Sequence, residues 1–179
     1  MIRRLLSLGA LGVIAAVVAD RLLGRRRATA ALAPIETFAV VDAPIERVWR
    51  TLADVEGQPR WMTDLKSVRL LDDGPVGAGS RAEGTVRILG IPVRDPVTIT
   101  EFDAPTRFAI RHDGAFGGEG VMTLEPGADG RSTIVRWRER LVPPVLPHLA
   151  AVLQRPILRA VFQADLHRLR RLLESPGPG

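Results

Sequence analysis

The stretch VVDAPIERVWRTLADVEGQPRW, residues 40–61, decides how the rest of the chain is interpreted. It begins at the end of a β-branched and aromatic run, ETFAVV, which is typical of a strand and stops before Pro44. Pro44 also suits the first turn of a helix. The residues that follow form one apolar face at the helical spacing i, i+3, i+4 and i+7: Ile45, Val48, Trp49 and Leu52. The stretch therefore predicts a strand that leads into an amphipathic helix.

The end of the same stretch predicts a second short helix. Gly57 and Pro59 are expected to end the first helix, and the second then carries Trp61, Met62 and Leu65. Each of these helices has an apolar side that must cover other residues. We expect the two helices, with their tryptophans, to cover the mouth of a cavity.

The middle of the chain predicts six further strands. Turn signals separate them at Gly90, at Asp113-Gly114 and at 127–130, and the glycine-rich GAFGGEG at 114–120 is predicted as a flexible loop. In the last strand, alternation places three apolar residues and one acidic residue on the same face: Val135, Trp137, Glu139 and Leu141. Arginines occupy the opposite face. Such alternation indicates an antiparallel sheet with one face in water.

The last element is a long helix, LPHLAAVLQRPILRAVFQADLHRLRRLLE. Pro147 can begin it, and Pro156 is expected to kink or split it, because a proline inside a helix removes a hydrogen bond and clashes with the preceding turn. Its wide apolar stripe can lie against a sheet. The order β-αα-β-β-β-β-β-β-α therefore predicts an α+β fold in which one curved sheet packs on a carboxy-terminal helix.

Charge and composition exclude several functions. The net charge of +5 resides in residues 1–27, where six arginines outnumber Asp20, and the other residues balance at 19 basic and 19 acidic. A neutral domain offers no electrostatic footprint for nucleic acid. The chain has no cysteine, which excludes disulfides and thiolate chemistry, and its three histidines lack metal-ligand spacing. We therefore expect no cofactor and no metal, and the sequence does not indicate an oligomeric state.

Residues 1–24 are predicted to be a membrane anchor or a signal segment. The uncharged run from Leu5 to Ala19 would span about 22 Å as a helix, short of the roughly 30 Å of a bilayer core. The arginines that follow favour a single-pass anchor with the domain in the cytoplasm. A cleaved secretory signal ending at Val17-x-Ala19 is the alternative, and a soluble helix is a third. Residues 25–34 are predicted as a basic, small-residue linker and 175–179 as a disordered tail.

The chain resembles the START/Bet v1-like superfamily, also called SRPBCC, and within it the polyketide cyclase/dehydrase and lipid-transport branch. The resemblance rests on DAPIERVWRTLADVEGQPRW, ITEFDAPTRFAIR and GEGVMTLEPGADGRSTIVRW, and it covers 35–174 as a ligand-binding domain. It implies a helix-grip fold, with a curved antiparallel sheet around a long carboxy-terminal helix and two short helices after the first strand. The apolar amino-terminal helix lies outside that domain. These motifs mark a scaffold more than an activity.

Three functions are compatible with this domain. The favoured one is binding or transport of a hydrophobic small molecule, such as a lipid, an isoprenoid quinone or a polyketide-like compound, at a membrane. A polyketide cyclase or dehydratase is the alternative, because alternation turns His112 and Glu139 inward as possible acid and base; both could instead lie at a strand end or sheet rim. A partner-binding module without ligand is the third.

The predicted ligand site comprises inward-facing apolar positions of the two short helices, the sheet and the long helix. They are Trp49, Trp61, Met62, Gly84, Val86, Phe108, Ile110, Met122, Trp137, Ile157, Val161 and Phe162.

Overall fold

The structure, a computed structural model, describes residues 12–13, 15–24, 33–88 and 91–175. Residues 15–24 are helical. After them come seven strands, two α-helices and one 3₁₀ helix, in the order β1 Ile35–Val41, α1 Ile45–Ala53, the 3₁₀ helix Val55–Arg60, β2 Leu65–Leu70, β3 Arg81–Ile88, β4 Ile91–Asp103, β5 Arg107–Asp113, β6 Gly117–Pro126, β7 Thr133–Val142 and α2 Pro147–Glu174.

The strands form one antiparallel, curved sheet in the order β1-β7-β6-β5-β4-β3-β2, and α2 packs against β1 and β7. The burial of β7 alternates as predicted, with Val135, Trp137 and Glu139 buried and the arginines between them exposed. The predicted α+β helix-grip architecture is confirmed. The predicted turn at Gly90 and the tail residues 176–179 lie outside the described residues.

The second short helix differs from the prediction. The first helix already ends at Ala53, and a 3₁₀ helix at Val55–Arg60 contains Gly57 and Pro59. The side chain of Asp54 accepts a hydrogen bond from the Gly57 backbone N–H, which begins the tighter turn. Trp61 follows this helix and is completely buried, whereas Leu65 begins β2.

The glycine-rich segment also differs. From Gly117 onward it is not a loop, because β6 begins there and pairs with both β5 and β7. Glycine is uncommon inside strands because it offers no side chain to pack, and local sequence alone therefore indicates a loop.

The long helix is continuous through Pro156, and its two halves are buried to different degrees. In residues 163–174, which we call the second half, four residues are buried: Asp165, Leu166, Leu169 and Leu173. Asp165 accepts hydrogen bonds from the backbone N–H and hydroxyl of Thr63, at 2.9 and 2.6 Å. In residues 147–162, the first half, Ala151 is the buried residue, and three large apolar side chains are exposed: Val152, Leu153 and Ile157.

The first half of α2 is held instead by the chain that precedes β1. Oδ1 of Asp20 accepts hydrogen bonds from the backbone N–H groups of His148 and Leu149, both at 2.9 Å. The residue at the cap position, Leu146, provides no side-chain cap. Asp20 therefore satisfies two of the free N–H groups at a helix start. Further along, the Arg155 guanidinium donates to the carbonyl oxygens of residues 33 and 34.

Within the described ranges, no helix is long and apolar enough to cross a membrane. Residues 1–11, 14 and 25–32 lie outside those ranges. The membrane anchor at 1–24, its orientation and the domain boundary at residue 35 stay predictions.

Because Asp20 caps α2 from a distant segment, we expect Asp20→Ala to loosen the start of that helix. The loss of an N-cap costs about 1 kcal/mol. Hydrogen exchange of the amides at 148–152 should become faster, while exchange in the second half stays unchanged. The matched control is Arg21→Ala, an exposed neighbour. Equal exchange in both variants would contradict the cap.

Candidate functional site

The interior face of the sheet carries a connected polar cluster around His112. Nδ1 of His112 lies 2.7 Å from Oδ2 of Asp95, and Nε2 lies 2.8 Å from Oε1 of Glu139. The other oxygen of Glu139 accepts a hydrogen bond from Nε1 of Trp137, at 2.8 Å. We call these four residues the His112 cluster. The structure thus brings together both residues predicted as acid and base.

Two glycines of β6 lie between the strands that carry His112 and Glu139, and one of them makes this contact possible. His112 is on β5 and Glu139 is on β7, so β6 runs between them, with Gly118 opposite His112 and Gly120 opposite Glu139. A Cβ atom on Gly120 would lie 2.5 Å from Oε2 of Glu139. A Cβ on Gly118 would lie 1.8 Å from the carbonyl oxygen of Arg140. Gly120 therefore leaves the space that the Glu139 carboxylate occupies beside His112, whereas Gly118 allows the close approach of the Arg140 backbone.

Asp95 is the member that the sequence analysis missed. It lies on β4, two residues before Val97, which pairs with His112. Alternation along β4 places Asp95, Val97 and Ile99 on one face, and Ile99 is buried. That alternation was the available signal.

Electrostatics keep the imidazole charged. Burial by itself lowers the pKa of His112, but hydrogen bonds to Asp95 and Glu139 and the charges of both carboxylates raise it to about 10. Burial raises the pKa of Glu139, and the hydrogen bond and charge of His112 oppose that rise. At neutral pH His112 is therefore an imidazolium that donates from both nitrogens. It has no free lone pair with which to take a proton or bind a metal ion.

A small cavity connects the cluster to the long helix. It measures about 10 Å³, which is room for about one water molecule. It lies between β1, β7 and the first half of α2, and its lining is Ala33, Ile35, Glu139, Leu141, Ala151, Gln154 and Arg155. Glu139 is the member of the His112 cluster that lines this cavity.

Aromatic side chains fill the rest of the interior in two groups. In one, Trp137 stacks on Phe162 at 4.6 Å between ring centroids, and Trp61 meets Trp137 edge-to-face at 6.3 Å. In the other, Phe102 lies between Trp49 and Phe108, at 5.2 and 6.0 Å. Both groups belong to the hydrophobic core.

The predicted ligand residues fall into three environments. Six are buried: Trp49, Trp61, Gly84, Phe108, Met122 and Trp137. Five are half-buried: Met62, Val86, Ile110, Val161 and Phe162. Ile157 is 62% exposed on the outer side of α2. A Cβ on Gly84 would lie 3.0 Å from a methyl carbon of Leu65, so Leu65 fills the space beside that glycine. The ligand-binding and catalytic roles of these residues stay predictions.

A curved antiparallel sheet packed on a long carboxy-terminal helix, with a buried polar cluster and aromatic side chains between them, defines a helix-grip protein of the START/Bet v1-like class. Residues 33–174 match the family described as polyketide cyclase / dehydrase and lipid transport. The chain belongs to this family. No curated protein matches it.

Solved structures share the fold. A protein of Deinococcus radiodurans is 24% identical, with a TM-score of 0.59 over 77% of this chain and 95% of its own. A START superfamily protein of Mycobacterium smegmatis is 19% identical, with a TM-score of 0.61, and the match covers 78% of this chain and 99% of that protein. The di-domain ARO/CYC BexL from the BE-7585A biosynthetic pathway is 18% identical, with a TM-score of 0.63, and the match covers 77% of this chain and 45% of that protein. At these identities the likeness is one of fold. Family and fold together indicate ligand binding or cyclase-type chemistry, without a substrate.

Alanine substitutions at two glycines of β6 should change the free energy of unfolding by very different amounts. Gly120→Ala should displace the Glu139 carboxylate and leave Trp137 or His112 without its partner, at a loss of about 1–3 kcal/mol in the free energy of unfolding. Gly117→Ala is the matched control, because no atom lies within 4 Å of its Cβ. Urea denaturation measures both. Similar losses of unfolding free energy in the two variants would show that the cluster does not depend on the missing side chain at Gly120.

The charge on the His112 imidazole should make the free energy of unfolding depend on pH. Its pKa is raised from 6.5 to about 10 in the folded protein. Its stabilising contribution is therefore fully present below about pH 6.5 and is lost as the pH rises towards 10. The free energy of unfolding should fall between pH 7 and 10, and an NMR titration should show His112 still protonated at pH 8.

The variant Glu139→Gln should lower the pKa of His112, because it removes one of the two charges that raise it. The outer-face variant Glu119→Gln is the control, since Glu119 lies near Arg140 rather than the cluster. A His112 that titrates near its ordinary pKa in the wild type would contradict the ion-pair geometry.

Proposed function

We propose that the protein binds a hydrophobic small molecule between the concave face of the sheet and the first half of α2. The candidate ligand classes are a lipid, an isoprenoid quinone and a polyketide-like compound. The observation that carries the proposal is the unequal burial of α2. Its second half is anchored by four buried residues, whereas the first half covers the aromatic interior with Ala151 as its buried residue.

The surface beneath the first half suits an apolar ligand. Trp137 and Phe162 stack there, Trp61 lies against Trp137, and Met122 is the β6 partner of Trp137. Transfer of apolar surface out of water contributes roughly 25 cal/mol per Å². A ligand that covers these rings would gain most of its affinity from this term.

Binding requires the first half of α2 to move, because a cavity of about 10 Å³ cannot hold such a ligand. Segments with few buried contacts open at low free-energy cost. Pro156 contributes, since it cannot donate a backbone hydrogen bond to the preceding turn. The attachments of Asp20 and Arg155 oppose the movement. The closed structure and an open, ligand-bound state are thus compatible.

The geometry favours a carrier over an enzyme. A general base near neutral pH needs a free lone pair within reach of the substrate proton. Both nitrogens of His112 are occupied by carboxylates. The same two contacts would have to be exchanged for contacts with a substrate before His112 could transfer a proton to it.

One observation supports the alternative, a cyclase or dehydratase. Glu139 lines the cavity, and its pKa is raised by burial. In that reaction Glu139 would accept a proton from a carbon next to a substrate carbonyl, and the imidazolium of His112 would position Glu139. Loss of turnover with retained ligand affinity in Glu139→Gln would favour this alternative.

The test of the carrier function uses the uncharged fluorescent probe N-phenyl-1-naphthylamine. Ala151→Phe should fill the space beneath the first half of α2 and weaken binding by about tenfold or more, equivalent to about 1.4 kcal/mol. Ala160→Phe is the matched control on the same helix, because Ala160 is exposed. Absence of probe binding by the wild type would contradict the function. Unchanged or tighter binding by Ala151→Phe would contradict the location.

A further inference from the structure

Two buried polar atoms have no hydrogen-bond partner among the described residues: Nε1 of Trp61 and Oγ1 of Thr37. Trp61 has no exposed surface, and Thr37 is 6% exposed. Nearly all buried polar groups in native proteins are paired, and an unpaired one costs about 1–3 kcal/mol. By contrast, the indole N–H of the neighbouring Trp137 donates to Glu139. The two unpaired groups therefore require an explanation.

Both atoms belong to residues that adjoin Trp137. Thr37 is the β1 partner of Trp137, on the same face of the sheet, and the Trp61 ring meets the Trp137 ring edge-to-face. Phe162, which is half-buried and is the last residue of the first half of α2, also packs on Trp137. The helix movement that admits a ligand would uncover Trp137 with an indole N–H and a hydroxyl beside it.

The chemistry of these groups selects the ligand. An indole N–H can only donate, and a threonine hydroxyl can donate or accept. A carbonyl oxygen accepts two hydrogen bonds and carries no proton that would itself need an acceptor. A purely hydrocarbon ligand would leave both groups unpaired.

We propose that the ligand of this site is an apolar molecule with a carbonyl group, whose oxygen accepts a hydrogen bond from Nε1 of Trp61. The hydroxyl of Thr37, on the other residue that adjoins Trp137, is the second unpaired group of this interior. This inference rests on the proposed carrier function and narrows it to ketones, quinones and esters.

The test compares two probes that differ only in the carbonyl, 2-acetylnaphthalene and 2-ethylnaphthalene. Each displaces N-phenyl-1-naphthylamine from the wild type and from Trp61→Phe, which keeps a ring but removes the N–H. Loss of one hydrogen bond should weaken binding of the ketone by about fivefold to tenfold. Binding of the hydrocarbon should change by less than about twofold. Thr37→Val should also weaken binding of the ketone selectively.

The outcomes separate this inference from the proposed function. If both probes bind and Trp61→Phe changes their affinities equally, the carbonyl contact is wrong and the carrier function stands. If N-phenyl-1-naphthylamine does not bind the wild type, the carrier function itself fails; if it binds and the ketone does not displace it, the carbonyl contact is wrong. Should Trp61→Phe not fold, the ¹⁵N-resolved indole N–H signal of Trp61 in the wild type provides the test. It should shift downfield with the ketone and not with the hydrocarbon, and equal shifts would overturn the contact.

Discussion

The interior of this protein depends on the pairing of one imidazolium with two carboxylates, Glu139 buried and Asp95 half-buried, where Gly120 leaves the neighbouring strand without a side chain. Gly120 leaves open the surface of β6 on which the Glu139 carboxylate lies when it meets His112. A buried charge is tolerated only when it is paired and hydrogen-bonded. Asp95 and Glu139 together satisfy both nitrogens of His112. Strands β4, β5 and β7 are thus linked by side chains as well as by the backbone ladders of the sheet.

Glu139 extends this cluster towards the helix. One of its oxygens receives the Trp137 indole N–H, which orients the ring against Phe162 and Trp61. Its carboxylate also lines the small cavity beneath the first half of α2. The polar cluster therefore holds the aromatic surface on which the proposed ligand lies. A rigid sheet below and a weakly anchored half-helix above are what a carrier needs, since the ligand enters by moving one wall only.

The chain before the domain contributes to the same half-helix. Asp20 caps its start, and Arg155 binds the carbonyl oxygens that lead into β1. These hydrogen bonds, rather than a buried apolar face, hold the first half of α2. A segment predicted as an anchor thus also holds the half-helix that would have to move in the proposed function, because residues 15–24 and the start of α2 share a hydrogen-bonded junction.

The sequence by itself determined the order of the main elements and the inward face of the last strand. Apolar and charged residues alternate clearly in β7, and this alternation placed Trp137 and Glu139 inward before any contact was known. The same reasoning placed His112 inward. Such patterns are local, because the direction of a side chain follows from its own strand or helix.

The tertiary structure alone decided which of these inward groups touch. The contact of His112 with Glu139 depends on the register of three strands, and the cap of α2 by Asp20 joins residues 128 positions apart. The segment at 117–120 looked like a loop because glycine has no strand preference, yet pairing on both sides makes it a strand. Register and long-range pairing arise from the packing of the whole chain, and no local pattern encodes them.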